Sequence, residues 1–325
     1  MSGAPPVGRF APSPTGDLHV GSALAALAAW ADVRRRGGRF VYRVEDLDGP
    51  RAVEGAAERQ IEDARWLGLD WDEGPDVGGP HGPYRQSARG DVYRAALRRL
   101  AEDGHLFPCR VSRKDLHELA SAPHGHEGLP PYPAELRPDA LAAGWFDDAA
   151  ARHDAALRFR VEPETVAFED RVVGRVEEDV SAAVGDFVLE RRDGVFSYQL
   201  AVVVDDLAMG VTEVVRGMDL LDSTARQILL IRTLGGAVPA YAHLPLLVEP
   251  DGRKLSKRHG AMTVRALRDA GVSAEALVGW LAAALGQGEL RPRTPAEVAD
   301  TFDMARVRPD PVTVPDDLAD RLRAL

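Results

Sequence analysis

At 325 residues, with 45% hydrophobic and 28% charged side chains, the chain has the length and balance of a soluble protein of one large or two linked domains. No apolar run reaches the roughly 18 residues of a membrane span, and the first residues lack the basic start and apolar core of a signal peptide. A single cysteine, Cys109, excludes an intrachain disulfide framework, so a cytoplasmic protein is expected. The net charge of −11 argues against nucleic-acid binding over the whole surface. Local basic runs at 34–39, 98–99, 191–192 and 253–258 read equally well as a binding face or as solvated helix ends and turns.

In chain order, Gly8-Arg9-Phe10-Ala11 begins as a short strand, which Pro12, Pro14 and Gly16 break. An Ala- and Leu-rich helix follows from about Val20 to Arg36 and stops at Gly37-Gly38. Strand, tight loop and helix N-terminus together make an anion site, because free N–H groups and the positive end of the helix dipole point there. His19 stands at the helix mouth as a donor to a phosphate, and Gly21 lets a nucleotide approach the backbone. Alone, the same stretch also reads as an ordinary strand-to-helix turn.

Residues 39–45 alternate as a strand and end in Glu45-Asp46-Leu47-Asp48, so acids gather at a strand's carboxyl end, the ligand-binding edge of an open α/β sheet. Capping of the next helix suits Asp48; a functional role is preferred for Glu45. An amphipathic helix is expected over 52–67 with Ile61, Ala64 and Leu67 on one side. A loop follows over 70–83, then a helix over 87–103 with Tyr93, Leu97 and Leu100 inward. Residues 106–109 start a strand or turn. From Cys109 to about Asp154, prolines, glycines and histidines accumulate, which reads as an insertion with one short helix near 114–119. Strands are expected within 156–168 and 171–176, then at 185–191 and 195–198 around an Asp193-Gly194 hairpin turn. The apolar run 199–206 ends in two acids and is either a buried strand or a core helix. A strand over 211–220 delivers Arg216 at its carboxyl end, a helix over 221–234 stops at Gly235-Gly236, and a strand over 242–248 opens onto the basic run 251–260. Beyond it lie a helix over 274–285 and a short element from Thr301.

His19-Val20-Gly21-Ser22 resembles the "HIGH" signature of class I aminoacyl-tRNA synthetases. The lead-in, residues 9–16, is similar to that of the glutamate-specific members, and Lys254-Leu255-Ser256-Lys257-Arg258 resembles their "KMSKS" loop. The resemblance implies an α/β, class I synthetase-type Rossmann fold with an inserted α+β connective region and a short C-terminal helical region. The expected divisions are 1–108 and 186–262 for the two halves of the catalytic domain, 109–185 for the insertion and 263–325 for the helical region. It implies a glutamate pocket of Arg9, Ala11, Ser13, Glu45, Tyr198 and Arg216, with Glu45 on the α-ammonium. ATP would meet His19, Gly21, Ser22 and Lys257; His19, Lys254 and Lys257 would carry the catalysis, with Mg²⁺ as cofactor. Arg9 and Arg216 can make forked, charge-assisted bonds to carboxylates, worth roughly 1.5–3 kcal/mol each, which lysine would not match in geometry.

Relatives often carry a zinc knuckle with a Cys-x-Cys pair and a later Tyr and Cys. Here Val111 and Leu136 replace two of these; Cys109, His124 and His126 could supply three ligands but match no familiar spacing, so no structural zinc is expected and no metal ligands are assigned. Only about 65 residues follow the basic loop, too few for an anticodon-binding domain as well as a stem-contact region. That resembles the shortened branch of the family, which places glutamate on queuosine in the anticodon of tRNA(Asp). The rival readings are a truncated enzyme charging tRNA(Glu) and a non-catalytic protein that keeps an adenylate pocket. A monomer is expected.

Overall fold

The computed structural model describes residues 4–111, 131–253, 255 and 262–325. The short helix expected near 114–119 lies outside these, as do His124, His126, Lys254 and Lys257. The central layer is a six-stranded sheet. Its strands are β1 (Val7–Phe10), β2 (Arg39–Tyr42), β5 (Thr165–Asp170), β6 (Gly174–Asp179), β8 (Glu213–Gly217) and β9 (Ala240–Leu244), in the order β2-β1-β8-β9-β5-β6. Neighbours are parallel except β6, which pairs antiparallel with β5 at the edge. The order reverses at β1, and there a crevice opens beyond the strands' carboxyl ends. A second, antiparallel sheet joins β3 (Leu106–Cys109), β4 (Ala156–Phe159) and β7 (Phe187–Glu190). The segment expected as one insertion, 109–185, is thus divided: β4 belongs to the small sheet, while β5 and β6 extend the large one.

Helix α1 (Val20–Arg35) forms where the alanine-rich run and the glycine stop place it, with eleven of its residues buried. It lies between the sheet and two C-terminal helices, Ala274–Ala284 and Pro295–Thr301. Strand side chains alternate between faces. Phe40, Tyr42, Val215, Ala242 and Leu244 join the core beneath α1. Val41, Val214 and Tyr241 join the opposite core, which holds α3 (Gly90–Glu102) residues Tyr93, Leu97 and Leu100.

Several local expectations are corrected. Helix α2 is Ala56–Trp66; the residues before it form a one-turn 3-10 helix, Gly49–Arg51, and Gly55 takes a positive φ of 69°. Asp48 makes no capping bond and instead pairs with Arg51 at 3.0 Å. Residues 195–198 are not a strand. The turn at Asp193-Gly194 forms, but its return arm only bridges Phe196 to Glu190, because Ser197 accepts from Leu200 N–H and starts a helix. That cap also resolves the 199–206 run. The run is helix α6 (Tyr198–Ala208), preceded in the chain by the one-turn helices α4 (Ala149–Arg152) and α5 (Val180–Ala183). The helix expected from Leu221 is a 3-10 turn, Met218–Ser223, leading into α7 (Thr224–Thr233). After β9, Pro245 interrupts the expected strand. Leu247–Val248 resumes as β10 and pairs with β11 (Val312–Thr313).

Candidate active site

The crevice is a cleft of about 710 Å³ lined by Arg9, Ala11, Ser13, His19, Gly21, Ser22, Glu45, Tyr198 and Arg216. Every site residue singled out from the sequence and described by the structure therefore borders one cavity. Elements distant in the chain converge there: the β1–α1 turn, the end of β2, the start of α6 and the end of β8.

At the helix mouth, His19 is the N-cap residue of α1, and its Nδ1 accepts the Gly21 N–H at 3.3 Å. Gly21 has neither a positive φ nor a crowded back. A Cβ there would meet only His19 Nδ1 at 3.6 Å, an ordinary contact. Folding does not demand this glycine; its missing side chain clears the cleft. Gln60 on α2 holds the turn by donating to the carbonyls of Ser13 (3.1 Å) and Gly16 (2.7 Å). Both roots of the basic loop reach the same place. Leu255 lines the cleft and its N–H donates to Leu247 O (3.2 Å), while Thr263 bridges to His19.

The other end is a lattice of buried charges. Arg43, fully buried, donates to Glu45 (3.0 Å) and Asp206 (2.8 Å) and lies 3.5 Å from Asp205. Asp206 also pairs with Arg9 Nε at 3.5 Å, and Arg9 Nη1 donates to Val215 O. Asp205 is enclosed by Arg89 (2.6 Å), Gln86 (2.9 Å) and the Tyr93 hydroxyl (2.9 Å). Buried charges survive only when so paired. Burial raises the pKa of Glu45, and Arg43 opposes that rise. Burial likewise raises that of Tyr198, whose surroundings include Arg216, Glu45 and Arg9.

Arg216 differs from expectation in one respect. Its Nε donates to His243 Nε2 (3.0 Å), Nη1 to Gln227 Oε1 (2.7 Å), and Nη2 to Thr224 Oγ1 (2.8 Å) and Leu220 O (3.2 Å). With five N–H groups on a guanidinium, a single Nη1–H is left over in this arrangement, so Arg216 offers a charge and one bond rather than a fork. Arg9 keeps more donors uncommitted and is the better candidate for a forked contact. Sequence reading did not single out Arg43, Asp205, Asp206, Gln60 or His243. The signal available was the pair of acids closing an apolar run, since acids in such a setting must be met by buried cations.

The residues at the expected zinc-knuckle positions do not fit a metal. Cys109 Sγ–H donates to the Tyr132 hydroxyl (3.4 Å), which donates to Leu136 O (3.0 Å). Val111 and Leu136 bring no ligand side chain. Among the described residues no group of three His, Cys, Asp or Glu is placed to hold a metal ion. No described helix is long and apolar enough to cross a membrane.

A parallel sheet with a phosphate-ready helix mouth beside an arginine- and acid-lined pocket defines the catalytic domain of a class I aminoacyl-tRNA synthetase. The chain belongs to that family: the model for class I tRNA synthetases (E and Q), catalytic domain, matches residues 7–290. More particularly, it is 53% identical to a glutamyl-Q tRNA(Asp) synthetase of Symbiobacterium thermophilum over 95% of each chain. It is 45% identical to one of Nitratidesulfovibrio vulgaris over 97% of this chain and 98% of that one. Its fold is similar to a crystal structure of a glutamate tRNA ligase from Elizabethkingia meningosepticum in complex with its amino acid. That match has a TM-score of 0.85 at 27% identity, covering 98% of this chain and 68% of the other.

Proposed function

We propose that this enzyme activates L-glutamate with ATP and passes the glutamyl group to queuosine in tRNA(Asp). The observation that carries the reading is the shared cleft: Arg9, Glu45 and Arg216 border the same cavity as the His19 helix mouth. In the first step, a glutamate α-carboxylate oxygen attacks the α-phosphorus of ATP. The bond from that phosphorus to the bridging oxygen breaks, and pyrophosphate leaves with the electron pair. Arg9 and Arg216 hold the two carboxylates, Glu45 receives the ammonium, and Ser13, Tyr198 and the Ala11 backbone shape the pocket. The N–H groups at the mouth of α1 and the His19 imidazole stabilise charge on the phosphate, with Gly21 and Ser22 giving it room. Lys254 and Lys257 keep the role the resemblance assigns them, neutralising the departing pyrophosphate. Mg²⁺, when bound, adds charge neutralisation; it suits entry on the ATP phosphates rather than a protein cage. In the second step a hydroxyl of the queuosine cyclopentene-diol attacks the activated carbonyl carbon, loses its proton, and displaces AMP.

No side-chain nucleophile is needed; positioning and electrostatics suffice. Transfer to queuosine is favoured by relatives of matching length that bear that name. The test is glutamate-dependent pyrophosphate exchange without RNA, followed by transfer to tRNA(Asp) with and without queuosine. Exchange without RNA and queuosine-dependent transfer are expected. Acceptance of tRNA(Glu) instead would overturn the acceptor, and absence of exchange would overturn the enzyme reading.

A further inference from the structure

Three neighbouring strands carry a polar row of Asp170, His243 and Arg216, of which the reaction above uses only Arg216. Arg216 on β8 is in register with His243 on β9, and Asp170 on β5 is in register with Tyr241, two residues before His243. Asp170 Oδ2 lies 2.6 Å from His243 Nδ1, and its Oδ1 accepts the N–H groups of Val172 and Val173 (2.9 Å each) and of His243 (3.2 Å). On the far side of the ring, His243 Nε2 faces Arg216 Nε at 3.0 Å. A guanidinium only donates, so Nε2 must present its lone pair. The ring is therefore neutral, with its proton on Nδ1 pointing at Asp170. Both side chains of the pair are wholly buried.

We propose that His243 is a positioning residue for glutamate: its lone pair fixes the Arg216 guanidinium in the plane that leaves one Nη1–H for the substrate. This rests on the reading of Arg216 as a glutamate-binding group. The geometry is over-determined on the other sides as well, by Gln227 and Thr224 from α7 and by the Tyr241 ring, whose centroid lies 5.4 Å from the guanidinium carbon. Only His243 can change state. Nε2 also lies 3.2 Å from Thr224 Oγ1; a second proton on the ring would turn Nε2 into a donor for which that hydroxyl is the acceptor in reach, and the Arg216 Nε bond would be lost. Burial is the largest influence on His243 and lowers its pKa from 6.5; the Asp170 hydrogen bond pulls upward, and Arg216 adds to the lowering. The charged or titratable groups facing it are Asp170 from β5, Arg216 from β8, Tyr241 on its own strand and, further off, Arg9 from β1.

Two substitutions separate positioning from mere packing. His243→Asn keeps an amide nitrogen near Nδ1 for Asp170 but leaves nothing at Nε2. His243→Gln places an oxygen near Nε2 and forgoes Asp170. Pyrophosphate exchange is measured with glutamate and ATP varied in turn, alongside thermal unfolding. The Asn variant is expected to raise the glutamate KM about tenfold or more, the effect of one charge-assisted bond, with the ATP KM nearly unchanged. The Gln variant should stay close to native. In the native enzyme the glutamate KM should climb below the ordinary histidine range, and in the Gln variant that acid limb should shrink to the part owed to Glu45. Equal Asn and Gln variants, or an ATP KM that rises with that of glutamate, overturn the positioning role and leave the glutamate reading intact. If both variants unfold, nitrogen-15 NMR of the native enzyme reads the ring directly: a neutral ring protonated on Nδ1 is expected, and a ring protonated on Nε2 overturns the positioning role. An Arg216→Ala variant with native glutamate KM would instead bring down the reading on which the inference rests.

Discussion

At one end of the cleft, Arg9, Arg43, Glu45 and Arg216 are bonded to protein partners before any ligand arrives; at the other, His19, Gly21 and Ser22 offer a helix terminus and space. The contrast follows from what each end is proposed to handle. A dicarboxylic amino acid is small and chosen by charge placement, so its contacts are held rigid by Asp206, His243 and Gln227. A triphosphate changes charge distribution as it reacts. Backbone N–H groups and a dipole serve it without buried side-chain charges that would need partners.

Breaking the lattice should have the largest effect. Arg43→Ala leaves Glu45, Asp205 and Asp206 buried without their shared cation and should cost about 3–5 kcal/mol, read by thermal or denaturant unfolding. An Arg43→Ala protein as stable as the native one would show that the lattice is not held together by that residue. Arg216→Ala comes next. It should lower kcat/KM for glutamate by about a hundredfold, with the fold intact by circular dichroism, since a charged contact of roughly 1.5–3 kcal/mol is lost. Normal activation would remove Arg216 from the site.

Glu45→Gln should have a smaller effect, about tenfold in glutamate KM, and should change the pH profile. Only the ionised carboxylate attracts an ammonium group. Because burial raises its pKa above 4.5, native affinity should fall on acidification at a higher pH than for an ordinary glutamate. The Gln variant should lose that component. Gly21→Ala, at the other end, should be the mildest. Unhindered by the fold, it should leave stability unchanged or raise it by up to about 1 kcal/mol. The ATP KM should rise severalfold while that for glutamate holds. A change in glutamate KM alone would erase the distinction between the two ends.

Much of this was legible in the sequence where the signal is local. The glycine stop after α1, the Asp193-Gly194 turn and the inward face of α3 follow from residues within a few positions of one another. The candidate residues came from two short motifs, their flanks and the resemblance at Glu45, Tyr198 and Arg216, and those described by the structure border one cleft. What stayed hidden depends on partners far apart in the chain. Nothing near His243 announces Asp170 or Arg216, and an apolar run ending in Asp205-Asp206 gives the same pattern as strand or helix until Ser197 is seen to cap it. The donors of Arg216 were overcounted for the same reason, because Gln227, Thr224 and Leu220 claim them from the following helix and turn.

The row from Asp170 through His243 to Arg216 spans three strands, so it exists only while all three keep their alignment. Sliding β8 by one position would turn its side chains through to the α1 face and bury the Arg216 cation among Phe40, Ala242 and Leu244. On the proposed reading of Arg216, substrate recognition becomes a reporter of correct strand pairing: a molecule that has misaligned these strands loses one of the two cations meant for the dicarboxylic amino acid.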